Sequence, residues 1–371
     1  MRSFIFVIIC LHICLKYCTA QECSLPEELI KPCTCFYRFI RCSGSKINIK
    51  NVATIFQRLS EQLPEYEQRL DSFELVNSVV NNISPRMFGN FKIKNYFRLR
   101  GNNIANFSIG DFAELFFLDI SSNNFQKFDK DTFVGLKDLR ILDAANIGIK
   151  RLRKEFFTHL RNLERLILSG NGIEHIDIDA FTSEYENNFA LTHIDLSSNL
   201  LKRLPENVFT VFRRPELIDL SNNKLTEINE IFNFSPDMTQ FEPVKIILAN
   251  NSLTNEQLDE KTFNKLIEKN HWIDLDLSHN EIKTIDSKVF QKLFKNTEND
   301  SHNRINLSNN PVECLDCANR WIFNDSSIGN EKKISFQNKI ILPVCTDTGK
   351  AFSRLTLNDF SKCSRTKRTQ K

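Results

Sequence analysis

Sulfur is where this chain's covalent chemistry can lie. Of its 11 cysteines, Cys10, Cys14 and Cys18 fall in the first twenty residues. The other eight form two groups of four at opposite ends, Cys23, Cys33, Cys35 and Cys42, then Cys314, Cys317, Cys345 and Cys363. An even count, with none in the middle, reads in an oxidising compartment as two pairs of disulfides stapling the ends of one long domain. Within each group three pairings are open. Zinc is the competing chemistry for the Cys314-x-x-Cys317 half-site, but a compact second pair is missing, since Cys345 and Cys363 lie far apart. No metal site is expected. Other reactive constellations are missing too: there is no GxSxG, no HExxH and no phosphate-binding glycine loop, and His193, His279 and His302 are isolated. The reading is of a non-enzyme that needs no cofactor.

The compartment follows from the N-terminus. Arg2 precedes an apolar run from Phe4 to Leu15, and Cys18-Thr19-Ala20 supplies small residues for cleavage, so residues 1–20 read as a signal peptide of a secreted protein. Its loss removes Arg2 and Lys16 and no acid, taking the formal net charge of +3 to +1, a balance that excludes a general nucleic-acid binder. No later apolar run is long enough to anchor the chain in a membrane. The tail, residues 364–371, is basic, with Arg365, Lys367, Arg368 and Lys371, and could bind polyanions.

Between the cysteine groups stands a repeat. The template LxxLxLxxNxL fits best at LFFLDISSNNF (115–125), LERLILSGNGI (163–173), LTHIDLSSNLL (191–201) and WIDLDLSHNEI (272–282), with weaker copies from Leu70, Lys94, Leu139, Pro215, Pro243 and His302. Ten units at spacings of 21 to 30 residues are a leucine-rich-repeat array. The expected fold is an α/β solenoid, a leucine-rich-repeat horseshoe with a concave parallel β-sheet and a disulfide cap at each end, because terminal repeats would otherwise expose apolar edges. The domain reading is residues 21–69 for the N-terminal cysteine cap and lead-in helix (broken at Pro64), 70–312 for the repeats and 313–363 for the C-terminal cap. Asn102, Asn123, Asn171, Asn199, Asn223, Asn251, Asn280 and Asn310 take the turn position, while Ser78 and Ile147 depart from it, with Asn146 one residue early; an irregularity is expected near 147. Phe88, Phe112, Phe133, Phe181, Phe209, Phe263 and Phe290 read as a stacked aromatic core. Longer late repeats leave room for convex-side helices, one of them capped by Thr254 and Gln257 with Leu258, Phe263, Leu266 and Ile267 on one face.

Period two sets which strand residues face outward. Between the two leucines of LxL the series is Glu74, Arg98, Asp119, Asp143, Ile167, Asp195, Asp219, Ile247, Asp276 and Asn306, mostly acidic. Two residues earlier it is Ser72, Tyr96, Phe117, Ile141, Arg165, His193, Leu217, Lys245, Asp274 and Arg304. The early part of that second series is apolar for a solvated face. Tyr96, Arg98, Phe116, Phe117, Asp119, Arg140, Ile141, Asp143 and Arg165 are therefore the candidate partner-binding residues, an aromatic and arginine composition enriched at interface hot spots. Seven N-x-S/T sequons, at Asn82, Asn106, Asn233, Asn250, Asn299, Asn306 and Asn324, are candidate glycosylation sites in a secreted chain. A glycan on Asn306 would block the last concave strand.

The segments CSLPEELIKPCTCFYRFIRC and NPVECLDCANRWIF, with Cys345 and Cys363, resemble the two caps of extracellular leucine-rich-repeat proteins. That resemblance implies first-to-third and second-to-fourth pairing at both ends, Cys23 with Cys35, Cys33 with Cys42, Cys314 with Cys345 and Cys317 with Cys363. The two-residue gap between Cys314 and Cys317 departs from the usual one. From CSLPEELIKPCTC through NVATIFQRLSEQLP into the early repeats the chain is similar to a group of secreted arthropod leucine-rich-repeat proteins that includes the non-catalytic subunit of the oplophorus-type luciferin monooxygenase. What this implies is a companion without chemistry of its own, engaging an extracellular protein. An extracellular matrix or structural glycoprotein that self-associates or binds polyanions is the alternative.

Overall fold

A computed structural model describes residues 22–363 apart from 109–111, 127, 130, 183–190, 213, 229–230, 235–242, 260, 264–271, 300–302 and 325–339. The signal-peptide and tail readings lie outside the described residues.

The N-terminal cap begins with a one-turn helix α1 (Glu27–Ile30) and the strands β1 (Thr34–Phe36) and β2 (Phe39–Ser43), which pair antiparallel. Disulfides join Cys23 to Cys35 and Cys33 to Cys42. Helix α2 (Ile49–Gln62) follows, with a capping box between Asn48 and Asn51 at its start, and it ends just before Pro64. Its buried face, Val52, Ile55, Phe56 and Leu59, covers the first repeat. Gln68 secures the far end by donating Nε2 to the carbonyls of Ser60 and Leu63 at 3.2 and 2.9 Å.

The repeats supply ten strands: β3 (Arg69–Val76), β5 (Lys92–Arg98), β7 (Phe117–Asp119), β8 (Ile141–Asp143), β10 (Arg165–Ile167), β12 (His193–Asp195), β13 (Leu217–Asp219), β14 (Val244–Ile247), β15 (Ile273–Asp276) and β16 (Arg304–Asn306). With β1 and β2 in front and β17 (Ile340–Ile341) behind, they make a 13-stranded sheet, parallel everywhere except the first pair. Two short parallel pairs lie apart from it, β4 (Asn82–Ile83) with β6 (Asn106–Phe107), and β9 (Arg151–Leu152) with β11 (His175–Ile176). One inward column is apolar on each rung, Phe73, Phe97, Leu118, Leu142, Leu166, Ile194, Ile218, Ile246, Leu275 and Ile305, each no more than 2% exposed. Behind it sit the phenylalanines. The seven expected in the core are all buried, and Phe56, Phe73, Phe88, Phe97 and Phe112 form one cluster of edge-on and tilted rings 4.9 to 5.8 Å apart.

The turn after each strand repeats one device. A residue in the left-handed region stands directly before the asparagine position: Asn77, Gly101, Ser122, Asn146, Gly170, Ser198, Asn222, Asn250, His279 and Asn309 all have positive φ. The next residue's carboxamide then bridges two repeats; Asn171 Nδ2 donates to Ala144 O and Leu168 O at 2.8 Å each, and its Oδ1 accepts from the Ile147 amide at 2.8 Å. Asn146 is thus not an early ladder asparagine. It holds the left-handed position, and Ile147 is a rung without a carboxamide. The expected irregularity does not reach the sheet, since β8 pairs in unbroken register with both neighbours.

On the convex side, residues 255–257 and 261–263 form turns, with Thr254 and Gln257 hydrogen-bonded side chain to side chain. The rest of the helix expected there lies outside the described residues. A helix appears one repeat later, α3 (Ser287–Asn299), a segment the sequence reading did not single out. The C-terminal cap contains a short helix α4 (Trp321–Asn324) and the disulfides Cys314–Cys345 and Cys317–Cys363. Asn319 is fully buried there, accepting from the Ile285 amide at 2.6 Å, and Trp321 Nε1 donates to Ile285 O at 2.7 Å. Among the described residues no helix is long and apolar enough to cross a membrane.

Candidate partner-binding surface

The outward strand positions form two straight columns on the concave face. Register pairs Ser72, Tyr96, Phe117, Ile141, Arg165 and His193 along one, and Glu74, Arg98, Asp119, Asp143, Ile167 and Asp195 along the other. The aspartates have a structural duty there. Asp119, Asp143, Asp195, Asp219 and Asp276 each accept, through Oδ1, the amide two residues on, at 2.9 to 3.1 Å. Asn306 does the same for Ser308 at 3.1 Å. The acidic stripe is therefore first a series of Asx turns that end the strands.

Two expected contact residues are not available as such. Asp119 is 3% exposed, because its carboxylate is held by Arg98 Nε at 3.1 Å and by the Ser121 amide and hydroxyl. Ile141 is 4% exposed, in the column between Phe117 and Arg165. The others do gather at the surface. Tyr96 and Phe117 are half-buried on adjacent strands with ring centroids 5.5 Å apart, and the Arg98 guanidinium lies 5.8 Å from the Phe117 ring centre. One strand over, Arg140 reaches the Phe116 ring at 5.8 Å and pairs with Glu164 at 2.7 Å. Arg165 is half-buried; burial works against its charge, and Glu216 and Glu164 oppose that effect.

The charge state of the face is set by burial and neighbours. Burial, with Asp119 and Asp195 adding repulsion, pushes the Asp143 carboxyl up to about 6. Burial likewise raises Asp219, against the hydrogen bonds from Ser221. Burial, then Arg165, pulls His193 down to about 4. Its 3.5 Å approach to Glu216 is therefore a contact of a neutral imidazole at neutral pH, not an ion pair.

Sequon asparagines differ in freedom. Asn82 and Asn106 are exposed and face each other across the β4–β6 pair, and Asn250 is exposed at a left-handed turn, where its Nδ2 donates to Asn222 Oδ1 at 2.6 Å. Asn233 is half-buried and donates to Asn207 Oδ1 at 3.0 Å. Asn306 is tied at both ends of its amide, donating to Asp276 at 3.1 Å and accepting from Ser308. The side chains of Asn299 and Asn324 lie outside the description. Cys314, Cys345 and Asp347 approach one another as metal ligands would, but both sulfurs are consumed in a disulfide and Asp347 accepts the Leu315 amide at 2.7 Å. On the flank, Arg151, His175, Asp177, Arg203 and Glu227 line a groove of about 500 Å³ that the repeat template did not indicate.

The leucine rich repeat family model matches residues 162–183. Comparison with curated proteins gives no match. Among solved structures the chain is similar to one in the octameric complex of Latrophilin 3, Unc5D and the LRR part of FLRT2, at 17% identity and TM-score 0.65, covering 89% of this chain and 98% of that one. It also resembles a chain of the Toll–Spatzle complex of Drosophila, at 19% identity and TM-score 0.52, covering 79% of this chain and 39% of that one, so it spans about two fifths of that relative. Repeat motif, stacked parallel sheet and paired end disulfides agree on the architecture: the chain folds as a leucine-rich-repeat solenoid with a disulfide cap at each end.

Proposed function

We infer that the chain is a secreted, non-catalytic binding module that holds an extracellular protein partner on its concave face, centred on Tyr96, Arg98, Phe116, Phe117, Arg140 and Arg165. The observation that carries this is the Tyr96–Phe117 pair, two half-exposed rings in register on a sheet face, each within reach of an arginine. Large apolar groups on such a face cost free energy unless a partner covers them, and aromatic rings bracketed by arginine are typical anchors. The complexes in which the similar chains were solved, with Latrophilin 3 and Unc5D and with Spatzle, are consistent with a fold used for protein contacts. A companion-subunit role, of the kind the arthropod resemblance implies, fits the same surface. The exposed sequons at Asn82, Asn106 and Asn250 lie off the concave columns, so glycans there leave it open.

The test is affinity capture from extracellular fluid with the glycosylated mature chain beside a Tyr96→Ala, Phe117→Ala, Arg165→Ala triple variant of verified fold. A partner held by the native chain and lost by the variant is the expected result; equal retention by both sinks the assignment. Raising ionic strength adds a second arm. Capture through a desolvated aromatic patch should survive high salt, whereas capture through the basic tail should collapse.

A further inference from the structure

The acidic column of the concave face runs in threes. Glu74, Arg98 and Asp119 occupy successive rungs, then Asp143, Ile167 and Asp195, then Asp219, Ile247 and Asp276. In the first triplet the chain fills its own slot: Arg98 lies between two carboxylates, Nη1 3.7 Å from Glu74 and Nε 3.1 Å from Asp119. In the second and third the central residue is a half-buried isoleucine. Each flanking aspartate commits Oδ1 to its turn. Among the described residues none of these four forms an ion pair; Arg100 and Lys245 act on Asp143 and Asp219 only from farther away.

We propose that the two isoleucine-floored slots each receive a basic side chain of the partner, in the way Arg98 occupies the first. This rests on the concave-face reading above and names the chemistry of its partner. Strands stand about 4.8 Å apart, so slots three rungs apart are separated by about 14 Å. An extended segment rises about 3.3 Å per residue, so arginines four residues apart span about 13 Å and match the pair. The occupant is therefore an extended protein segment with that dibasic spacing, laid across the strands. Isoleucine suits the floor because arginine's methylene stem packs on apolar surface while its weakly hydrated guanidinium forks to carboxylates.

The last rung supplies a clean substitution. Asn306 makes the same turn as the aspartates without a charge, so Asp→Asn keeps the turn and removes the attraction. The full glycosylated chain is titrated with the peptide acetyl-Arg-Thr-Val-Thr-Arg-amide, and with one whose arginines are two residues apart, by calorimetry. The wider spacing should bind about fivefold or more tighter, and Asp195→Asn and Asp219→Asn should each weaken it about fivefold at unchanged or higher thermal midpoint. Ile167→Arg, filling the second slot from within, should weaken it likewise. Equal affinity for both spacings, or indifference to the Asn variants, overturns the proposal. So does calcium ion alone binding with the same dependence on Asp195 and Asp219. A captured partner lost by the Tyr96, Phe117, Arg165 variant but kept by the Asn variants leaves the concave reading standing and removes this one; retention by all variants removes both.

Discussion

Asp143 and His193 titrate in opposite senses on one sheet face. A carboxyl raised to about 6 holds its proton more tightly in the folded chain, so it stabilises the fold at acid pH and that contribution is lost as pH rises through about 6. An imidazole depressed to about 4 contributes stability that is present above its unfolded value near 6.5 and lost as pH falls through about 4. Between pH 4 and 6.5 the two offset each other. Relative to the native chain, Asp143→Asn should therefore lose about 1 kcal/mol of stability on acidification across that window, and His193→Gln should gain a similar amount. Urea midpoints at pH 4.5 and 7 check both, and parallel curves would remove the account. Glycine offers a second test at this scale. Gly101 has φ +71°, and a Cβ there would meet Asn77 Oδ1 at 2.6 Å. Gly101→Ala should cost about 1–3 kcal/mol in chemical denaturation.

At the scale of the element, the unit is a rung: strand, Asx turn, left-handed residue, bridging carboxamide. Asn171 accepts from the Ile147, Gly148 and Ile149 amides at 2.8, 3.0 and 3.4 Å while donating to two carbonyls. It carries these bonds beside a rung, Ile147, that has no carboxamide to share them. Asn171→Leu strands several buried backbone groups and should cost about 3 kcal/mol or more, above the cost of the same change at Asn280. The sequence revealed the rung through its LxL spacing and asparagines, because periodic burial writes itself in residue type. It did not reveal that Asn146 and Ile147 hold their places in register, since a left-handed position and a ladder position both favour asparagine. Asp119 and Ile141 show another limit. Alternation predicts which way a side chain points, but whether a neighbour then covers it, as Arg98 does Asp119, depends on contacts between strands.

The whole molecule is a stack in which each repeat contacts chiefly its neighbours, so its stability is a sum of rungs and interfaces bounded by two caps. Cys317–Cys363 closes the longest disulfide loop, with a sequence separation of 46. Replacing both cysteines by serine should cost about 2–5 kcal/mol, and the loss should be graded. Amide exchange should accelerate most in β17 and β16 and least in β3 and β5, beside the intact N-terminal cap; uniform acceleration along the array would contradict the stack picture. Caps and repeat count were legible in the chain from cysteine spacing and period. The triplet pattern of the acidic column was present in the letters too, but it acquires meaning only when register places Glu74, Arg98 and Asp119 within reach of one another.

The carboxamide ladder also makes the protein a record of its own ageing. Asn171 is followed by Gly172, a pair prone to deamidation when the backbone can close on the side chain, and here burial and the bonds to two carbonyls hold that reaction off. Conversion to aspartate would turn a donor into a buried charge facing those same carbonyls. The lesion would thus form at a rate set by how often this one rung opens, and once formed its charge would hold the rung open.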